Sequence, residues 1–132
     1  MTAVKADSTS WPDMAKAIER SGIAILPIGA LEQHGAHLPL ATDTILASGV
    51  AEQIADKLDA ILLPAISFGE AWNNSEFTGT MSLSPETLRA IMRDRGREWH
   101  RVGGRALIVM NGHFGNTEPI SMAARDLLTE LK

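Results

Sequence analysis

The stretch IAILPIGALEQHGAHLPLATDT, Ile23 to Thr44, changes character at Gly29. Ile23 to Ile28 is unbroken apolar sequence, as in a strand covered on both faces of a parallel sheet. Gly29 to Thr44 then places Glu32, His34, His37 and Asp43 among Gly, Pro and Ala. That second part has neither helical periodicity nor the apolar content of a core, so it needs a rigid element to lie on.

The same unit recurs along the chain. AILLPAI, Ala60 to Ile66, and RALIVM, Arg105 to Met110, read as two further buried strands. Helices are expected between them. Ser10 as N-cap, Pro12 in the first turn and Gly22 beyond the end frame a helix in WPDMAKAIERSG. A second helix is expected from about Asp43, its N-cap, to Leu58, with Ile45, Leu46, Val50, Ile54 and Leu58 at helical spacing. A third opens with Ser84 as N-cap and Pro85 at N1 and ends in glycines. A fourth covers TEPISMAARDLLTELK, Thr117 to Lys132. Apolar strands alternating with helices predict an α/β fold on a parallel sheet, in a single domain over residues 1–132.

In open parallel sheets, ligands collect at the carboxyl ends of the strands. The polar segments here all follow strands: GALEQHGAHLPLATD, SFGEAWNNSEFTGTMS and NGHFGN. The connections that follow helices, RSG, LDA and RVGGR, are short and carry no such chemistry. One end of the sheet is therefore the expected site.

Glu32 and His34, two residues apart, point to one side if the chain stays extended. Gly35 and Pro39 exclude a continuous helix there, and with it the helical H-E-x-x-H zinc pattern. Asp43 can reach back across the loop from the start of the next helix. His113 lies at the end of the third strand, between Gly112 and Gly115, where positive φ angles are expected to hold the imidazole at the sheet edge. Two imidazoles and two carboxylates suit a divalent ion such as Zn²⁺, Mn²⁺ or Fe²⁺, and a carboxylate shared by two ions would make a two-metal hydrolytic site. Singly, each residue has a plainer reading: Asp43 as a helix cap, His113 as a turn residue. Their placement at one sheet edge is what joins them. His37 is expected to orient a ligand or contact substrate. His100 and Trp99 read as structural residues of the third helix.

Composition narrows the classes. The net charge is −4, and the densest basic group, Arg89 to Arg105, has Asp94 and Glu98 interleaved, as on a solvated helix face. That speaks against a nucleic-acid surface. No apolar run approaches the roughly 20 residues of a membrane span, and MTAVKADSTSW is not expected to be a signal peptide. With no cysteine, any metal must be held by imidazole and carboxylate, and a cytoplasmic location is expected. The NGHFGN loop has neither G-x-G-x-x-G nor the P-loop lysine of a nucleotide binder.

LPIGALEQHGAHLPLATDT, EFTGTMSL and VMNGHFGN together resemble the creatininase (creatinine amidohydrolase) family, over Ile23 to about Met122. The resemblance implies a three-layer α/β/α fold with a mostly parallel sheet. It also implies a metal-dependent hydrolase of C–N bonds in cyclic or linear amides. By position, Glu32, His34, Asp43 and His113 correspond to metal ligands, with Asp43 bridging two ions. Family members run to roughly twice this length, so the chain resembles an N-terminal half. Creatininase itself has an acidic ligand where this chain has Gly115, and many members supply that acid from a later segment. Glu76 is a further candidate for a contact to substrate or metal. The expected ligand set is thus complete for one ion and incomplete for the second. The sheet is likewise expected to be incomplete in this chain alone, needing a second polypeptide, a C-terminal half or a homo-oligomer. A small-molecule amide is the expected substrate. The alternative is a non-catalytic binding or scaffolding subunit that needs a partner chain.

Overall fold

Strand β2 (Ile23–Ile28) lies inside the sheet, as its unbroken apolar sequence predicts. The computed structural model describes residues 3–131, so Met1, Thr2 and Lys132, at the ends of the expected segments, lie outside it. Strand β4 (Ala106–Asn111) runs parallel to β2 in a six-residue register from Ile23↔Ala106 to Ile28↔Asn111. On the other side β3 (Ile61–Leu62) pairs with β2, and β1 (Val4–Lys5) pairs with β3, also parallel. The order is β1-β3-β2-β4.

Alternate residues of β2 enter opposite layers, as strand geometry requires. Ile25 packs with Ala51 and Ala55 of α2 (Thr42–Leu58), joined by Ile23, Ile108 and Met110. Leu26 and Ile28 pack on the opposite face with Leu88 and Met92 of α3 (Pro85–Arg101) and Ala123 of α4 (Thr117–Glu130). Ala24 meets Ala17 of α1 (Trp11–Arg20) and Trp99. The result is an α/β/α sandwich, with α2 alone on one face. Ile25, Leu26 and Ile28 are at most 2% exposed, and each such side chain contributes about 1.5–3 kcal/mol by leaving water.

Several local expectations need correction. The strand expected over residues 60–66 shortens to Ile61–Leu62 plus a bridge between Ile28 and Ile66. Pro64 has no N–H for a ladder, but Leu63 and Ile66 still donate to the carbonyls of Ile25 and Pro27, each at 2.9 Å. Strand β1 has no counterpart in the sequence reading, because two residues carry no readable period. Helix α2 begins one residue early, so Asp43 sits in its first turn and is not the N-cap. Its buried face is Ala47, Ala51 and Ala55, while Ile45, Leu46, Val50 and Leu58 are 47–61% exposed. Small side chains let the helix lie close to the sheet; of the large apolar ones expected at helical spacing, only Ile54 packs against the core cluster. Ser10 donates to the Asp13 carboxylate at 2.7 Å and caps no amide, whereas Ser84 accepts from Thr87 N–H at 3.1 Å as expected.

The arginines of α3 form a ladder to α4. Arg89 and Arg97 lie along one face, and each gives a two-pronged contact, to Asp126 and Glu130 respectively. Arg93, between them, approaches both acids at 3.5 Å. This stretch is therefore an interhelical contact as well as a solvated face. Trp99 is buried, and its indole N–H donates to the Ala106 carbonyl at 2.9 Å. His100 is exposed in the last turn of α3. Among the described residues, β1 and β4 are the sheet edges. No helix among them is long and apolar enough to cross a membrane.

Candidate metal centre

The loops after β2, β3 and β4 meet at the carboxyl end of the sheet. Asn116, fully buried, ties the three together. Its amide donates to Gly29 O at 2.9 Å and Asn111 Oδ1 at 3.2 Å, and its oxygen accepts from Glu70 N–H at 2.9 Å. Gly112 permits a second close approach: a Cβ there would lie 2.5 Å from the Asp43 carbonyl oxygen. The expected positive φ is found at neither Gly112 nor Gly115, so steric room, not backbone handedness, explains these glycines.

Asp43 lies at the centre, with one carboxylate oxygen toward each imidazole. Oδ1 is 3.0 Å from His34 Nε2, and Oδ2 is 2.9 Å from His113 Nδ1. Glu32 Oε1 is 3.0 Å from the same His113 nitrogen and 4.0 Å from His34 Nε2. Ligand atoms of Glu32, Asp43 and His113 all lie within 4.8 Å of one another. His34 joins this group through Asp43. All four residues singled out in the sequence therefore converge, although their order in the chain spans β2, α2 and β4.

The remaining ring nitrogens are held by backbone carbonyls. His34 Nδ1 is 3.1 Å from Glu32 O, and His113 Nε2 is 2.6 Å from Glu70 O. A carbonyl only accepts, so each of these nitrogens carries the proton. That fixes the tautomer and leaves His34 Nε2 and His113 Nδ1 facing the carboxylates. Either a second proton on each ring or a cation between ring and carboxylate makes those contacts attractive. Burial, the largest single influence on His34, lowers its pKa. The Glu32 carbonyl and the Asp43 carboxylate outweigh it and hold the imidazole above its ordinary 6.5.

Glu32 and Asp43 are 7% and 8% exposed. Among the described residues their salt-bridge partners are only the two histidines, with no Lys or Arg. Buried carboxylates without a permanent positive partner are costly, and two carboxylates beside two imidazoles suit a divalent ion. A pocket of about 380 Å³ opens on the cluster, lined by Glu32, Asp43, Glu70, Asn74 and His113 among others.

The other expectations fall elsewhere. His37 and Glu76 are exposed and line no part of this pocket. Three residues were not singled out as site residues by the sequence reading: Asn116, Glu70 and Asn74. Asn74 donates to Glu32 Oε2 at 2.6 Å and accepts from Gln33 at 3.2 Å, fixing the carboxylate. Their one sequence signal was position, since all sit in segments following strands.

The family model for creatininase, described as creatinine amidohydrolase, matches residues 7–132. The chain is 36% identical over 114 residues to the creatinine amidohydrolase of Pseudomonas putida, covering 80% of this chain and 44% of that protein. It is 36% identical over 131 residues to the mycofactocin precursor peptide peptidase of Mycobacterium ulcerans (strain Agy99), covering 92% and 48%. A solved mutant creatininase of Zn-Zn type superposes with a TM-score of 0.92 at 31% identity, over 99% of this chain and 53% of that one. The chain thus spans about half the length of the relatives it matches and resembles the N-terminal part of the solved structures. By sequence and by fold, the chain belongs to the creatininase family.

Proposed function

We propose that this chain is a subunit of a metal-dependent amidohydrolase that cleaves the C–N bond of a cyclic or linear amide. The observation that carries this reading is the Asp43 carboxylate, buried and divided between two imidazoles, with no Lys or Arg among the described residues to neutralise it. Glu32, Asp43 and His113 would hold one ion, and His34 with the other Asp43 oxygen would contribute to a second. When bound, such ions supply Lewis acidity, which lowers the pKa of a water and polarises an amide carbonyl. The donor set suits Zn²⁺, Mn²⁺ or Fe²⁺, and the Zn-Zn type of a similar solved creatininase supports zinc. The chain's own residues hold and orient: Asn74 fixes Glu32, and the carbonyls of Glu32 and Glu70 set the two tautomers. His37 and Glu76 keep outer contacts to substrate in this reading, and a group outside this chain protonates the leaving nitrogen.

The site works with a second polypeptide or further copies of this chain. Three facts support that. The chain spans about half of each relative, the β4 edge is unpaired among the described residues, and α2 turns Ile45, Leu46 and Val50 to solvent. An unpaired parallel edge and an apolar helix face are both surfaces that proteins usually cover. A cysteine-free chain suits a reducing cytoplasm. The test is the metal content of the purified chain with any polypeptide that co-purifies. Two equivalents of metal with amide hydrolysis, both lost in Asp43→Ala, are expected. Absence of metal under every condition overturns the reading, and metal without hydrolysis favours a binding subunit.

A further inference from the structure

We propose that Trp72 determines specificity: with Leu83 and Pro85 it forms a subsite for an apolar group on a linear amide whose scissile bond lies in the metal pocket. The inference rests on the metal-dependent reading above and narrows its substrate class. Trp72 is 71% exposed, although tryptophan is highly buried on average in folded proteins. A tryptophan that merely anchored its loop would be covered, so this indole is presented to something outside the fold.

The turn that carries the indole is fixed, while the ring is free. Trp72–Asn74 is one turn of 3-10 helix. Trp72 N–H donates to Glu70 Oε1 at 3.1 Å, and Trp72 O accepts from Ser75 N–H at 2.9 Å. Ala71 N–H donates to Ser82 Oγ at 2.8 Å. Two residues on, Asn74 donates to Glu32 Oε2 at 2.6 Å, so one turn carries both the indole and the donor that fixes a candidate ligand. A hollow of about 370 Å³ lies against the indole, with Leu83 and Pro85 as further apolar walls. Its hydroxyls are engaged within the protein: Ser82 Oγ donates to Leu83 O at 2.9 Å, and Ser84 Oγ accepts from Thr87 N–H at 3.1 Å. The hollow therefore offers mainly apolar contact. Glu70 and Asn73 line both this hollow and the metal pocket, so the two share a wall. A small cyclic amide held at the metal pocket would leave the second hollow empty. A linear amide reaches it by crossing that wall, and Trp72 then covers its apolar group. That continuity favours substrate over a second polypeptide as the occupant.

The experiment uses the protein with any co-purifying polypeptide, and acetylated peptide amides that differ only in Phe, Leu or Ser at one central position. Binding is read by calorimetry on the chelated protein, and hydrolysis by mass spectrometry on the Mn²⁺-loaded protein. The Phe and Leu peptides are expected to bind at least about tenfold more tightly than the Ser peptide, and to be cleaved with a correspondingly higher kcat/KM. Trp72→Ala is expected to abolish that preference and Trp72→Phe to keep most of it, with thermal unfolding and Mn²⁺ content unchanged in both. Equal binding of the three peptides to wild type, or none, overturns the inference, as does a preference that survives in Trp72→Ala. A metal-loaded wild type that cleaves creatinine but no peptide also overturns it. So does loss of the co-purifying polypeptide from Trp72→Ala, which assigns the indole to an interface. A wild type that binds the peptides with the expected preference, yet neither holds metal nor cleaves an amide, overturns the metal-dependent reading and leaves the subsite standing.

Discussion

Asp126 and Glu130 on α4 each accept a two-pronged contact from an arginine of α3, whereas among the described residues Glu32 and Asp43 at the sheet edge have only imidazoles as ion-pair partners. The first pair is partly exposed and its charge is balanced by groups that are always cationic. Such pairs are worth little and fade in salt. The second pair is buried, and its partners are imidazoles whose other nitrogens are held by the Glu32 and Glu70 carbonyls. The same residue types are thus a helix–helix seam in one place and a cation trap in the other. Burial, together with the kind of positive partner, decides which.

The sharpest way to break this contrast is to add metal. At a Zn²⁺ concentration about 100 times the dissociation constant, wild type should gain about 2.7 kcal/mol in unfolding free energy. Asp43→Ala should gain almost nothing, as read by urea unfolding with Zn²⁺ and with chelator. An equal gain in both proteins would make the buried acids no different from the exposed ones. Next in size is Asn116→Ala, which leaves Glu70 N–H and Gly29 O without partners inside the site. It should cost about 1–3 kcal/mol in the metal-free protein, measured by the same unfolding. Asn74→Ala should leave the fold intact but weaken metal binding about 10- to 100-fold, because Glu32 loses the donor that orients it. Calorimetric titration separates that result from simple destabilisation.

The smallest effect belongs to α4. The arginines, chiefly the hydrogen bonds from Arg89 and Arg97, hold the Asp126 and Glu130 carboxyls below their ordinary 3.8 and 4.5. With folded values below unfolded ones, their contribution is full above those ordinary values. It is lost as pH falls through the lower folded ones. Asp126→Asn should remove part of that acid dependence, and acid unfolding curves should show a difference that shrinks in about 1 M salt, where the screening length is ~3 Å.

Much of this was legible in the residues. Ile23–Ile28 and Ala106–Asn111 announce themselves by apolar content, and the loop after each follows from that. Glu32, His34, Asp43 and His113 were readable because their residue types are unusual together at strand ends. Other features were hidden for physical reasons. The face of α2 is set by how closely Ala47, Ala51 and Ala55 approach the sheet, and large apolar residues at helical spacing mislead when a surface awaits covering. The strand expected over residues 60–66 shortens to Ile61–Leu62, although Leu63 and Ile66 still donate to β2. Glu70, Asn74 and Asn116 act across 42 to 87 residues of sequence through single polar contacts, which leave no periodic trace.

The gathering of four side chains around a pair of cations that share Asp43 is the claim on which the rest depends. A crystal grown with Mn²⁺, with data collected to give an anomalous difference map, tests it most directly. The account predicts one peak bounded by Glu32, Asp43 and His113 and a second between Asp43 and His34. A map without anomalous density there, from fully Mn²⁺-equilibrated crystals, would contradict it.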